Sequence, residues 1–431
     1  MSRLENLVED YATEPVPQAE TYGGVRIGFI LGGIGVALPA LLSGAEVGVA
    51  LGFEASLLAF LAAAVLVSTL AIVTGWVGMR SRLSTYMILR FSFGTQGARW
   101  VNLTFAIAQF GWFGVNAYFF GAAGEQIGEQ VLGATLPSAA YVIGGGVLMT
   151  GATIFGFKAL DKLALIAFPL MLTMLVMMVA RTFEATSWET LTTLAPTAQM
   201  SFGQAVTTLS GGIIVGVLLV PDLTRYARGP RDVVVAVIIA LTLIETLVHA
   251  VAAGPALHLG EIEPLAIMLA LGFGAFALVF LVVASLTTNA VNLYGAGLSL
   301  ASIFPRTSEW VFVVVAGVIG TAIALTDVSD VFIDFLVWQS VIFSSVLGVY
   351  VVDFFILRGG DYRLEQLDGA HSSVNPSAFI AWALGAVAAA LAYFDKTHVT
   401  GIANLDGVLV AALVYGGLGL IRRREARRVV A

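Results

Sequence analysis

Four polar side chains fall within six positions of the stretch S-L-T-T-N-A-V-N-L-Y, residues 285–294, inside an otherwise apolar run over 265–304. On a helix, Ala284, Thr287 and Thr288 stand at i, i+3 and i+4 and share one face, while Asn289 and Asn292 share an adjacent one. Hydroxyls and carbonyl oxygens suit a small hard cation; a carboxamide, with donor and acceptor side by side, suits the edge of an amide or amidine. The competing reading has these side chains bonding neighbouring helices or their own i−4 carbonyls. A second constellation, A-Q-F-G-W-F-G over 108–114, sets Gln109 and Trp112 at i and i+3. An indole is a flat platform and the carboxamide one turn away can read the edge of what lies on it. A third pair, Glu245 and His249 at i and i+4, places ionisable groups inside an apolar segment, either as a proton-coupling site or as a pair bonded to itself.

These groups must be held in a membrane. Of 431 residues, 58% are hydrophobic and only 11% are charged, where soluble domains carry roughly a quarter. The mean hydropathy is +0.93. The sequence therefore predicts an all-α polytopic membrane protein. With no cysteine and four scattered histidines, disulfides, thiolate metal sites and a catalytic metal are not expected, nor is any other cofactor. No paired carboxylates or nucleophile–base pair share one depth, which argues against an enzyme. A net charge of −7 with no basic stripe argues against nucleic acid, leaving lipid and a small molecule as partners of a monomer. The polar stretch 1–24 has no basic start and apolar core, so a cytoplasmic tail is expected there rather than a signal peptide.

Windows of about 20 apolar residues recur twelve times between residues 27 and 421, each long enough to span a bilayer. The eighth, over 266–302, is too long for one ordinary helix. A tilted helix followed by an amphipathic segment over 299–304 is expected there. Twelve spans put nineteen Lys and Arg on the side of the termini and only Arg181 and Lys396 opposite, which makes both termini cytoplasmic in an inner membrane. The opposite loops carry Glu184, Glu189, Glu261, Glu263, Asp327 and Asp330 as an acidic solvated face. The arginines from Arg80 to Arg99 flank L-R-F-S-F-G over 89–94, too short to span and expected as an interfacial or re-entrant helix anchored at lipid headgroups.

Spans one and six share a pattern. G-G-I-G-V-A-L-P over 32–39 and G-G-I-I-V-G-V-L-L-V-P over 211–221 each set a Gly pair ahead of another Gly and a Pro. Gly and Pro weaken a helix mid-membrane and free backbone groups there. Interruptions at matching positions of two halves point to a transporter of inverted repeats with its site at the breaks. Helices one to five over 25–181 and six to ten over 182–357 are the expected repeats. Helices eleven and twelve over 358–421 are appended, and a basic cytoplasmic tail follows over 422–431.

P-V-P near the N-terminus, G-x-x-x-R-L-S-T-Y-M-I-L-R-F-S-F-G ending at Gly94, Q-F-G-W-F-G, P-D-L-T-R-Y-A-R over 221–228, T-T-N-A-V-N-L-Y and V-D-F-F-I-L-R-G-G-D-Y-R over 352–363 resemble the nucleobase:cation symporter-1 family, closest to its cytosine and purine–cytosine permease branch. The resemblance is collinear over about residues 15–363, and the last two spans agree only in hydropathy. It implies a leucine-transporter-type fold, five plus five inverted helices with two more, importing a nucleobase or related compound by sodium-coupled alternating access. Proton coupling through Glu245 and His249 stands as the alternative. By the same resemblance Trp112 stacks the substrate and Gln109 reads its edge. Ala37, Leu38, Asn289 and Asn292 line the substrate side, and Gly33, Ala37, Ala284, Thr287 and Thr288 hold sodium. Span six departs: where cytosine permeases offer Ser-Phe-Ile-Ser, this chain has Gly212, Ile213, Ile214 and Val215. The missing aromatic face and hydroxyl leave purines, uracil, hydroxymethylpyrimidine, hydantoins and allantoin open beside cytosine.

Overall fold

A computed structural model describes residues 11, 14–129, 133, 136–154, 156–326, 328, 331–367, 373–394, 396–397 and 399–430. Asp327, Asp330 and most of the first thirteen residues lie outside these. Among the described residues every long element is a helix, and the one extended pairing is an isolated bridge between Tyr22 and Ala227. Helices occupy all twelve expected windows. The first is α1 (Gly24–Gly35) with α2 (Leu38–Leu51), followed by α3 (Phe53–Ser81) and a short α4 (Thr85–Phe93). Then come α5 (Gly97–Ile127), α6 (Ser138–Thr153), α7 (Gly156–Ala185), a one-and-a-half-turn α8 (Trp188–Thr193), α9 (Phe202–Thr224) and α10 (Pro230–Leu259). The chain continues through a short α11 (Pro264–Ala270), α12 (Ala275–Ile303), α13 (Glu309–Ala324) and α14 (Phe332–Val352). It ends with α15 (Pro376–Tyr393) and α16 (Ala403–Val430). Eight of these are long and apolar enough to cross a membrane alone, and the bent pair α1–α2 makes a ninth. The other three expected windows hold α5, which carries Asn102, Gln109 and Asn116, and α6 and α13, each 16 residues long.

The first span is broken where its sequence predicts. The axes of α1 and α2 differ by 74°, and the bend rests on two residues: Val36 at φ −85°, ψ 76° and Ala37, fully extended at φ −134°, ψ 157°. The Ala37 N–H turns back to the Gly35 carbonyl at 3.0 Å, so the Gly33 carbonyl does not receive the i+4 bond a continuous helix would give it. Pro39 in the first turn of α2 has no N–H to leave unmet. The second half then lies flat on α10. At Gly44 an added Cβ would stand 2.5 Å from the His249 carbonyl oxygen, and at Gly48 2.7 Å from Ala253 Cα. Only glycine permits that approach, which brings α10 beside the break.

Span six corrects the expected second break, because α9 runs unbroken from Phe202 to Thr224 through Gly211, Gly212 and Pro221. Pro221 leaves the Val217 carbonyl without its intrahelical donor, but Thr74 of α3 supplies one from outside at 2.9 Å. Leu218 O, one residue on, lies 3.4 Å from both Thr85 Oγ1 and the Tyr350 hydroxyl. With the freed carbonyls met by neighbouring helices, the proline is absorbed in the last turn without unwinding the middle of the span.

The eighth window is also divided differently from the expectation. The turn falls at residues 271–274, where Gly272 (φ +80°) and Gly274 (φ +50°) take left-handed backbone, and α12 then continues through Ser299 without an amphipathic appendix. The third correction concerns α4, which is no headgroup anchor: every residue except Arg90 is buried, among the side chains of α5, α9, α12 and α14. The described part of the N-terminal tail is tied to the ends of spans two and six. Val16 N–H donates to the Arg82 carbonyl at 3.1 Å and Tyr22 N–H to the Tyr226 carbonyl at 2.7 Å.

Thr74 makes the continuity of α9 testable. Thr74→Val removes the side-chain donor at the Val217 carbonyl while keeping the shape, and should cost about 1–3 kcal/mol as a lowered unfolding temperature in detergent, with Thr74→Ser largely restoring it. Equal unfolding temperatures for wild type and Thr74→Val would show that the carbonyl needs no such partner.

Candidate functional site

The break opens into a cavity of about 120 Å³ bounded by α1, α2, α5, α9, α10 and α12. Gly35 and Ala37 line it from the break; Leu38 is buried beside them but does not face it.

From α5 come Gln109, Trp112 and Asn116 at i, i+3 and i+7, one face of one helix. Gln109 is 4% exposed, and its Nε2 donates to the Asn292 carbonyl at 3.4 Å, a long bond that leaves the amide free to be recruited. Trp112 is half-buried; its Nε1–H donates to Gln339 Oε1 of α14 at 2.7 Å, and Phe335 meets the ring edge-on with centroids 5.6 Å apart. Asn116 donates to the Trp112 carbonyl at 2.8 Å, which ties its side chain to the same turn. The spacing of Asn116 was available in the sequence as the next polar position on that face.

The wall from α9 is apolar: Gly212, Ile213, Val215 and Gly216 face the space with no hydroxyl or ring among them. Nothing opposes the Trp112 platform with a second aromatic from this helix, in keeping with the departure seen in the sequence.

On α12 the two polar faces separate. Asn292 and Thr288 line the cavity. Asn289 is fully buried behind them, its Nδ2 3.3 Å from the Phe113 carbonyl and 3.2 Å from Met149 Sδ, while its Oδ1 accepts from Asn292 Nδ2 at 3.1 Å. It therefore orients Asn292 and does not face the cavity. Thr287 and Ala284 also lie outside the lining. The Thr287 hydroxyl is 2.9 Å from both the Val283 and the Ala284 carbonyl, so its proton is held by its own helix. Gly33 packs on it closely enough that an added Cβ would be 3.9 Å from Thr287 Cβ. Of the five residues named for sodium from the sequence, Ala37 and Thr288 line the cavity, while Gly33, Ala284 and Thr287 do not.

Glu245 and His249 line the cavity from α10. A π-helical stretch, Ile238–Ile244, widens α10 just before Glu245, a local distortion common at functional sites. His249 Nε2 stands 3.6 Å from Glu245 Oε1, and Glu245 Oε2 is buried without a hydrogen-bond partner. Among the described residues, no group of three or more His, Asp or Glu is placed to hold a metal ion.

The sequence reading missed the far end of the cavity, lined by Asp222 and Tyr294. Asp222 Oδ1 accepts the Thr85 N–H at 2.7 Å and so caps the start of α4. Arg225, one turn on, is fully buried; it donates to the Tyr294 hydroxyl at 2.9 Å and to the Tyr11 carbonyl at 2.7 Å. Tyr86 donates to the Gly295 carbonyl at 2.7 Å. The floor is thus a charged network joining α4, α9, α12 and the N-terminal segment. Its signal in the sequence was the Asp222/Arg225 pair inside P-D-L-T-R.

Residues 15–412 match a family described as permease for cytosine/purines, uracil, thiamine, allantoin. Cytosine permease of Escherichia coli (strain K12) is 28% identical over 419 residues, 96% of each chain. Among solved structures, Mhp1, a nucleobase-cation-symport-1 family transporter in a closed conformation with bromovinylhydantoin bound, superimposes with a TM-score of 0.84 over 95% of this chain and 94% of that one, at 19% identity. Its inward-facing conformation gives 0.82 at 17% identity over 97% and 95%. A sodium-coupled sialic acid symporter in a substrate-bound outward-open state gives 0.68 at 10% identity, again over 97% and 95%. The architecture is of the leucine-transporter type, the fold of Mhp1. A family match over nearly the whole length makes this chain a member of the family of permeases for cytosine/purines, uracil, thiamine and allantoin.

Proposed function

We propose that this chain is a secondary active transporter that imports a planar, neutral nucleobase or related heterocycle by sodium-coupled alternating access. The observation that carries the reading is the convergence of Trp112, Gln109 and Asn292 on one cavity at the break of the first span. A flat ring stacks on the indole, and the carboxamides meet its polar edge. The hydantoin bound to Mhp1 and the name of the Escherichia coli relative support the class of ligand. Cytosine, purines, uracil, hydroxymethylpyrimidine and hydantoin- or allantoin-like compounds are the candidates. The apolar α9 wall favours a ligand whose second face needs no aromatic partner.

Sodium would be held by carbonyls of Gly33, Ala37 and Ala284 with the hydroxyls of Thr287 and Thr288, about five oxygens without a formal charge. The Gly33 carbonyl, not taken by Ala37, supports this set. The Thr287 hydroxyl must turn from its own helix to join it. Proton coupling through Glu245 and His249 is the second reading, favoured by the partnerless Glu245 Oε2 beside the break. Uptake into vesicles separates the two, since a proton-coupled carrier is indifferent to sodium and stops when the pH gradient is dissipated.

The excess of Lys and Arg on one side supports an orientation in the cell membrane with both termini cytoplasmic and Lys396, which is exposed, outside. The chain has no cysteine, so Lys396→Cys is a unique label site. It should react with an impermeant maleimide added to whole cells; reaction only after the cytoplasmic face is opened would reverse the topology.

Removing the platform tests the site itself. Trp112→Ala forfeits about 1–3 kcal/mol of stacking, so binding of the compound that wild type prefers among cytosine, uracil, hypoxanthine and hydantoin should weaken roughly 5- to 150-fold. Unchanged affinity would place the pocket elsewhere.

A further inference from the structure

The indole of Trp112 is fixed from α14 rather than from its own helix. Gln339 accepts its N–H at 2.7 Å, and Phe335, one turn earlier, meets the ring at 70°. An indole N–H can only donate, so the carboxamide has one permitted orientation, with oxygen toward Trp112 and Nε2 away from it. That Nε2 is buried with no hydrogen-bond partner, and Gln339 as a whole is 4% exposed.

A leucine or methionine would remove the unmet Nε2 donor but would take the acceptor from the Trp112 N–H, so the glutamine only exchanges one unmet donor for another and stability alone does not select it. What it supplies that an apolar side chain cannot is an acceptor that stops the indole turning about its χ angles. Stacking on a ring depends on the orientation of its face. Neither Gln339 nor Phe335 lines the cavity, whereas Trp112 does, so any effect of α14 on a ligand at this wall passes through the indole.

We propose that Gln339 is a positioning residue of the ligand site: its carboxamide oxygen holds the Trp112 indole in the plane on which a flat heterocycle stacks, and ties that plane to the position of α14. The inference rests on Trp112 being the stacking platform.

The test uses the full-length chain, labelled with 5-fluorotryptophan, in wild-type, Trp112→Ala, Gln339→Leu and Gln339→Glu forms. Binding of cytosine, uracil, hypoxanthine and hydantoin is measured, and the fluorine resonance of Trp112 is assigned by its absence from Trp112→Phe. Gln339→Leu, which removes one unmet donor and leaves another at the indole N–H, should unfold close to wild type, yet weaken every compound that wild type binds by about 5-fold or more and shift or broaden the Trp112 resonance. Gln339→Glu keeps an oxygen acceptor and should recover most of the affinity and the native resonance. Gln339→Met replaces the leucine variant if that one does not fold. Wild-type affinity in the leucine or methionine variant overturns the proposal, and so does a loss that leaves the Trp112 resonance unmoved. If instead Trp112→Ala binds as wild type does, the platform itself is refuted and the role of Gln339 falls with it.

Discussion

Inside a bilayer every backbone N–H and C=O needs a partner within the protein, and that requirement decides where this chain can be irregular. Two of its spans carry Gly pairs followed by Pro, yet only one unwinds. At Pro221 the orphaned Val217 carbonyl is met by Thr74 from a neighbouring helix, and the span stays whole. At Val36 and Ala37 the turn is closed by a short Ala37-to-Gly35 bond, which leaves backbone polarity facing a cavity. The difference between a structural proline and a functional break lies in whether a neighbour supplies the missing donor.

The rest of the site follows from keeping that break walled by protein. Gly44 and Gly48 let α10 approach backbone to backbone, which delivers Glu245 and His249 to the cavity rim. The polar island of α12 is positioned from behind, Asn289 holding Asn292 while the Thr287 hydroxyl rests on its own helix. Beneath it the Asp222–Arg225–Tyr294 network closes the floor by joining α4, α9 and α12. Polar groups thus surround an apolar space on three sides, and the middle of α9, from Gly212 to Gly216, keeps the fourth apolar.

The membrane class, the twelve windows, the first break and the Gln109/Trp112 face were legible because each rests on local composition or on helical spacing. What was not legible depends on partners distant in sequence. No local feature announces that Thr74 will satisfy Val217, and the two broken-helix patterns therefore look alike. The arginines around α4 carry the composition of a headgroup anchor, but tertiary packing buries the helix between them. Arg225 counts toward the positive-inside balance although it is 0% exposed and serves the cavity floor. The turn at Gly272 and Gly274 is invisible to a hydropathy window, because glycine does not interrupt apolarity. Gln339 is a lone amide in an apolar run, and only the fold brings it to Trp112.

In the proposed function the ligand is linked to the ion, since both would rest on the same few residues around Ala37 and Thr288 at the helix break. If two ligands share that element, their binding free energies are coupled, and each must tighten the other by one factor. The measurement that tests this most directly is a pair of titrations on purified wild-type protein. One follows the affinity of its preferred heterocycle, chosen from cytosine, uracil, hypoxanthine and hydantoin, with and without saturating sodium. The other follows the affinity of sodium with and without that heterocycle. The account predicts the same enhancement in both directions, well above one, and its loss in Thr288→Ala with residual sodium-independent binding of the heterocycle. Heterocycle affinity that is identical with and without sodium in the wild type would contradict it.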